Sequence, residues 1–346
     1  MQGSLPARCF GYAHQLRPAN GADAERTRDA ILRSSLRDQR DDQRRVNPLG
    51  WLPDVPDFRD WTRQQLVREL EQRTSTQSPA RGSARDGLSS VDGDAGSSGL
   101  PSAIDLRGSG WLPPVSRQGR LGSCTAHAVT TMVEALNNRL GRKPLELSRL
   151  FLYKVTRNLH GWDGDSGAHL RTTIKALRLF GVPPESSWPY EIDSFDTEPD
   201  AFNYAFASNY KATMFARLDQ GDRRESGTAE TTLGEIKRVV STGDTAVLGF
   251  SVYSNLDRAR HRGEIPLPRP ADRLRGGHAV TVVGYDDHIE FDESHRGALV
   301  FQNSWGRDWG DEGYGYLPYE FVRRGIASDV WTVTNAEWVS ESGFGS

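Results

Sequence analysis

Cysteine is scarce in this 346-residue chain, with Cys9 and Cys124 its only examples. Two thiols exclude the multi-bridge framework that staples small secreted folds, and as free thiols they suit a reducing compartment. Long apolar runs are missing too. No stretch approaches the 18 or more apolar residues needed to span a bilayer as a helix. The opening residues, Met1 to Phe10, lack the basic start and apolar core of a signal peptide. The expectation is a cytoplasmic protein, with secretion by a signal-independent route left open. Charge of one sign is also lacking: the net charge is −3, and each arginine-rich stretch is interleaved with Asp and Glu. That balance argues against a nucleic-acid or membrane-surface partner.

The apolar content, 36% overall, is unevenly spread. Residues 1–45 are polar, with at most a weak helix through Ala30, Ile31, Leu32 and Leu36. Residues 46–73 concentrate aromatics and prolines in Gly50-Trp51-Leu52-Pro53-Asp54-Val55-Pro56-Asp57-Phe58-Arg59-Asp60-Trp61, after which Trp61 to Gln72 reads as helix. Residues 74–99 are mostly Ser, Gly, Asp, Ala and Arg, a linker composition that cannot bury enough apolar surface to order itself. Residues 100–346 read as one globular unit.

In that unit helices come first. Val129, Met132, Val133, Leu136 and Leu140 recur at helical spacing behind Cys124. Ser148 is placed to cap a helix carrying Leu150, Phe151 and Val155, and a third, from Ala168 to Phe180, stops at Gly181. A helix from Leu233 to Val240 then leads into strands at 245–252, 279–285, 298–302, 313–317 and 329–334. Asp286 to Arg296, crowded with charge, reads as a solvated insertion loop; its His288 and His295 do not suggest a metal site. Helices followed by strands predict an α+β protein with a site between two halves.

Certain residues carry chemistry by type and placement. Cys124 falls where a Gly-containing loop enters the long helix, where the positive helix end lowers a thiol's pKa. His278 follows Gly276-Gly277 at the mouth of an apolar strand, held in place yet facing the cleft as a general base must. Gln118 lies six residues before Cys124, and Asn303 opens Asn303-Ser304-Trp305-Gly306. That order of glutamine, cysteine, histidine and asparagine resembles the papain-like C1 cysteine peptidases, at a Cys-to-His separation like theirs. The resemblance runs on through Arg307-Asp308-Trp309-Gly310-Asp311-Glu312-Gly313-Tyr314-Gly315.

The resemblance implies a two-lobe fold with the active site in the cleft between a helical lobe and an antiparallel β lobe. It implies Cys124 as nucleophile, His278 as proton shuttle, Asn303 as its orienter under the shield of Trp305, and Gln118 as oxyanion donor. Asp163-Gly164-Asp165-Ser166-Gly167-Ala168 is similar to the family's substrate-pairing glycine loop, so Ser166 and Gly167 are expected to touch substrate, as are Gly277 and Trp309. Peptide or protein is the implied substrate, and no cofactor or metal is required. There are departures. Leu121 stands where secreted members carry a bridging cysteine, Thr125 replaces the usual tryptophan, and His127 occupies a common aromatic position. A bridge between Cys9 and Cys124 would disable the nucleophile, which is why both are expected to be free. Because bacterial relatives often begin with a stretch like 50–60, residues 46–73 are expected to act as a pro-like intramolecular inhibitor. Acyl transfer to an amine, or a non-catalytic member that binds peptides or another ligand, stand as alternatives to hydrolysis.

Overall fold

The computed structural model describes residues 49–54, 56, 57, 60–65, 68, 99–219 and 228–338. The weak helix near Ala30, the 74–98 linker and Cys9 lie outside them. Of the helix expected from Trp61, Arg63–Gln65 and Arg68 are described, and those are helical.

Four helices lie in the first half: α1 (Cys124–Arg139), α2 (Arg149–His160), α3 (Leu170–Phe180) and α4 (Ala201–Ala207). Helix α1 is buried along nearly its whole length, including the face opposite its apolar stripe. It is sandwiched between the other helices and the sheet, so small residues such as Ala126, Ala128 and Thr130 are required there. Ser148 caps α2 as expected, accepting the Phe151 N–H at 3.1 Å, and Gly161 ends it in the left-handed region at φ 67°. Helix α3 stops at Gly181 (φ 81°), where a Cβ would lie 1.9 Å from the Ala207 carbonyl oxygen. Glycine is needed there for both turn and contact.

The sheet has seven strands: β1 (Ala103–Asp105), β2 (Tyr210–Arg217), β3 (Ala246–Tyr253), β4 (Leu274–Asp292), β5 (His295–Gln302), β6 (Tyr314–Pro318) and β7 (Ala327–Trp338). Its order is β2-β7-β3-β4-β5-β6, with β1 paired to β4, and every pairing is antiparallel. Helices α5 (Thr228–Ser241) and α6 (Tyr319–Arg323) pack on the strands. One core gathers Phe151, Ile174, Val129 and Cys124 among the helices. The second gathers Ile236, Leu248, Phe250, Val282, Phe301 and Trp305 around the strands. The α+β architecture is as expected, with the candidate site at the seam.

Two expectations need correcting. Asp286 to Arg296 is no loop: β4 and β5 continue through it as a hairpin, with Glu290 opposite Arg296 and His295 bonded to Asp292. Alternation of side-chain type along His288-Ile289-Glu290-Phe291-Asp292 favours a solvated ribbon, which the density of charge obscured. The helical half also contains β2, which pairs with β7 far along the chain. Its apolar residues were masked by the polar segments on either side.

Candidate active site

Cys124 is the first residue of α1, so the unpaired amides of the first turn surround its sulfur. The backbone amides of Ala279, Gly50 and Thr125 lie close enough to the thiol to favour its charged form. His278 sits on β4 opposite Phe250 of β3, and its neighbour Ala279 is the residue that meets the sulfur. Thr281, three residues further along β4, donates to the Ala128 carbonyl at 2.9 Å and locks α1 to the strand. The expected nucleophile and base are therefore brought together from the two lobes.

The imidazole is held on all sides. Its Nε2 is 2.8 Å from Asn303 Oδ1, and that oxygen also accepts the Ser304 N–H at 2.8 Å. Asn303 is itself fixed through its own N–H to the Gly313 carbonyl. Trp305 stacks on the ring and Phe250 meets it edge-on. Nδ1 has no hydrogen-bond partner among the described residues. Trp309 lies behind Trp305, packed edge-on against it at 5.1 Å and buried with Phe301.

Gln118 is fully buried. Its Oε1 accepts from Ser304 Oγ at 2.6 Å, its Nε2 donates to the Leu121 carbonyl at 2.8 Å, and its backbone N–H donates to the Ser304 carbonyl. Its side chain is thus joined to the asparagine loop on one side and the nucleophile loop on the other. His127 is a core residue: Nδ1 lies 3.3 Å from the Ser123 carbonyl, and Tyr190 meets the ring at a right angle. Tyr190 also bonds Ser123 Oγ and the Gln118 carbonyl, tying down both flanks of the loop before Cys124.

A second device replaces the absent disulfide. Asp165 accepts the Gly122 N–H at 2.9 and 3.1 Å and also the Tyr153 hydroxyl. The same hydroxyl accepts the Gly167 N–H at 3.1 Å. Buried Arg157 holds the Gly164 carbonyl from beneath while pairing with Asp196. The glycine loop and the nucleophile loop are therefore joined next to Leu121 by hydrogen bonds instead of sulfur. Tyr153, Asp165, Tyr190 and Ser304 were not singled out from the sequence. Asp165 lay inside the glycine-loop motif and Ser304 inside the asparagine motif, while nothing local marked Tyr153 and Tyr190.

The cleft is covered. Residues 49–52 run through it with Gly50 and Trp51 both donating to the Gly277 carbonyl at 3.0 Å. On the other side the Ala168 N–H donates to Gly50 O at 2.7 Å and Leu52 N–H donates to Ala168 O at 3.0 Å. Gly167 and Gly277 are where this backbone comes closest: a Cβ at 167 would lie 2.4 Å from Gly50 O, and at 277 2.3 Å from Trp51 O. Ser166 lies beside them, its hydroxyl on the Gly167 carbonyl. Further along, Arg171 pairs with Asp54 at 2.7 Å and with Asp60, and the Arg217 N–H donates to the Trp61 carbonyl at 2.8 Å. Beneath this cover Cys124 and His278 are both 0% exposed. Burial pushes the thiol up to about 11 against the lowering pull of the surrounding amides. Burial likewise pushes the imidazole down to about 4, against the raising effect of Asn303. At neutral pH the covered pair is uncharged.

The geometry accords with comparisons to known proteins. Residues 100–334 match the pattern of the papain family cysteine proteases. An uncharacterized peptidase C1-like protein of Acanthamoeba polyphaga mimivirus is 33% identical over 62% of this chain and 68% of its own length. Cathepsin K of Mus musculus is 28% identical over 63% of this chain and 60% of its own length, so the alignment spans less than two thirds of that relative. Among solved structures, xylellain, a cysteine protease from Xylella fastidiosa, superposes with a TM-score of 0.63 at 29% identity, covering 85% of this chain and 97% of that one. The clostridial cysteine protease Cwp84 after propeptide cleavage shares the fold, with a TM-score of 0.55 at 21% identity over 69% of this chain and 58% of that one. With the family pattern matched across well over half its length and the fold shared, the chain belongs to the papain family of cysteine peptidases.

Proposed function

We propose that this chain hydrolyses peptide bonds through a thioester on Cys124, and that residues 46–73 restrain it by occupying the cleft. The observation that carries the restraint is the double pairing of residues 49–52, to Ala168 on one lobe and Gly277 on the other, directly over Cys124.

In the opened site the thiol passes its proton to His278, and the resulting thiolate and imidazolium stabilise each other. The sulfur attacks the peptide carbonyl carbon, and the oxyanion is held by the Cys124 N–H and the Gln118 side-chain amide. As the C–N bond breaks, His278 returns its proton to the leaving amine. Water, deprotonated by His278, then attacks the thioester and releases the acid and the free thiol. Asn303 keeps the ring aimed throughout, and a neutral amide suffices because the ion pair carries the charge. Chemistry that passes through a free thiolate agrees with residence in a reducing compartment, and the proposal extends to that setting.

Magnitudes support a cover that can be displaced. Removing an indole's area from water is worth about 4–6 kcal/mol, while fixing the backbones of residues 49–52 costs about 4–8 kcal/mol. These terms nearly offset, so the hydrogen bonds of residues 49–52 and the ion pairs of Arg171 with Asp54 and Asp60 decide the balance.

The test compares the full chain, Trp51→Ala and Cys124→Ala on an unbiased peptide library, with products weighed in the presence of an added amine. Trp51→Ala is expected to cleave at least about tenfold faster than the full chain, and Cys124→Ala to be silent. Equal rates in the first two would remove the restraint reading, and amine adducts in place of free acids would make the enzyme an acyltransferase.

A further inference from the structure

Trp51 does more than cover the thiol. Its indole enters a slot beside the cleft and is 2% exposed, and its Nε1–H donates to Asp329 Oδ2 at 3.2 Å. Asp329 is wholly buried and sits at φ 59°, a left-handed conformation that Asp tolerates better than most residues. Its backbone N–H is fixed by Asp219, its other oxygen takes the Trp331 indole N–H at 2.7 Å, and Arg217 lies 3.5 Å away. Asp219 and Trp331 belong to the body of the protein, so the carboxylate stays aimed by them when Trp51 leaves.

The walls are made by omission. Gly249 lies inside β3 among buried Val, Leu and Phe residues, where glycine weakens a strand. A Cβ there would come within 1.9 Å of the indole, and one at Gly277 within 2.6 Å. The same Gly277 supplies the carbonyl that holds the backbone of the occupant, so the slot and the cleft share a residue. Once the indole departs, the buried Asp329 Oδ2 loses the Trp51 donor at the end of a slot walled by Gly249 and Gly277, and such a site rejects an occupant that lacks the donor.

We propose that this slot is a substrate side-chain pocket selecting tryptophan, with Asp329 as its specificity-determining residue. It rests on the reading above, in that residues 49–52 stand where a substrate would lie.

Binding tests the slot independently of catalysis. The full chain carrying Cys124→Ala and Trp51→Ala is titrated by calorimetry with blocked pentapeptides Leu-Gly-X-Leu-Pro, where X is tryptophan, 3-benzothienylalanine (the same shape with sulfur for N–H) or alanine. Tryptophan is expected to bind about tenfold or more tighter than the benzothienyl peptide, and alanine weakest. Adding Asp329→Asn is expected to bring the first two within about threefold of each other. Adding Gly249→Ala is expected to weaken both aromatic peptides by about tenfold or more. With Cys124 restored, cuts in peptides carrying one tryptophan at successive positions are expected at a constant distance from it. Equal binding of the three peptides, no binding of any, or an undiminished tryptophan preference in Asp329→Asn overturns the proposal. Selective binding without cleavage would sink the hydrolytic reading and leave the pocket standing. Cleavage indifferent to tryptophan would do the reverse.

Discussion

The imidazole of His278 stacks on the indole of Trp305, with ring centroids 4.2 Å apart and planes 23° from parallel. The indole covers the Nε2 to Asn303 hydrogen bond and is itself backed by Trp309. Trp305→Ala would leave a void between the asparagine loop and β4 and let water compete for that bond. The expected cost is about 3–5 kcal/mol of stability together with a fall in kcat/KM, read by urea titration and turnover in the Trp51→Ala background. Trp305→Phe should recover most of both. An unchanged pair of values in Trp305→Ala would show that the stack does not matter.

Asn303→Ala removes the acceptor that aims the ring while leaving thiol and imidazole in place. Turnover in the opened protein should fall by about 10²-fold, mostly in kcat. A change confined to KM would make Asn303 a substrate contact instead.

The covered pair sets a pH window for closure. His278 has a depressed pKa of about 4, so its contribution to the closed form is complete above its ordinary value of 6.5 and is lost as pH falls toward 4. Cys124 has a raised pKa of about 11, so its contribution is complete below 9.0 and is lost as pH rises through 11. From these two groups, the melting temperature of the full chain should be highest between pH 6.5 and 9.0. Iodoacetamide should modify Cys124 slowly at pH 7 in the full chain and faster in Trp51→Ala. Equal alkylation rates would mean that the thiol is not covered in solution.

Asp165 joins the Gly122 amide to Tyr153 and through it to Gly167. Asp165→Ala should cost about 1–3 kcal/mol and raise KM as the glycine loop loosens. Tyr153→Phe should show a milder version of the same pattern. A loss of stability with KM unmoved would reduce the clamp to a purely structural part.

Much of the site was legible because its residues are marked by local context. Cys124 at the start of an apolar-striped helix and Asn303 just past β5, ahead of Ser304-Trp305-Gly306, sit at element boundaries, whereas His278, expected at a strand mouth, lies inside β4, which begins at Leu274 and runs through both Gly276 and Gly277. The caps at Ser148 and Gly181 were readable for the same reason, since a turn's chemistry lies within a few residues. Trp51 stood out as an aromatic among prolines, but its partner Asp329 reads as one more acid in a strand. The hairpin at 286–296 was missed because density of charge hid its alternation.

The sequence by itself determined which chemical groups the chain possesses, in what order, and which helices and strands present them, because propensity, capping and periodicity act over short spans. Tertiary structure alone decided that Asp165 stands in for a disulfide, that Asp329 reaches an indole 278 residues away, and that the thiol and imidazole are neutral under residues 49–52. Those outcomes depend on which surfaces exclude water from which groups, and that is settled only when distant segments pack together.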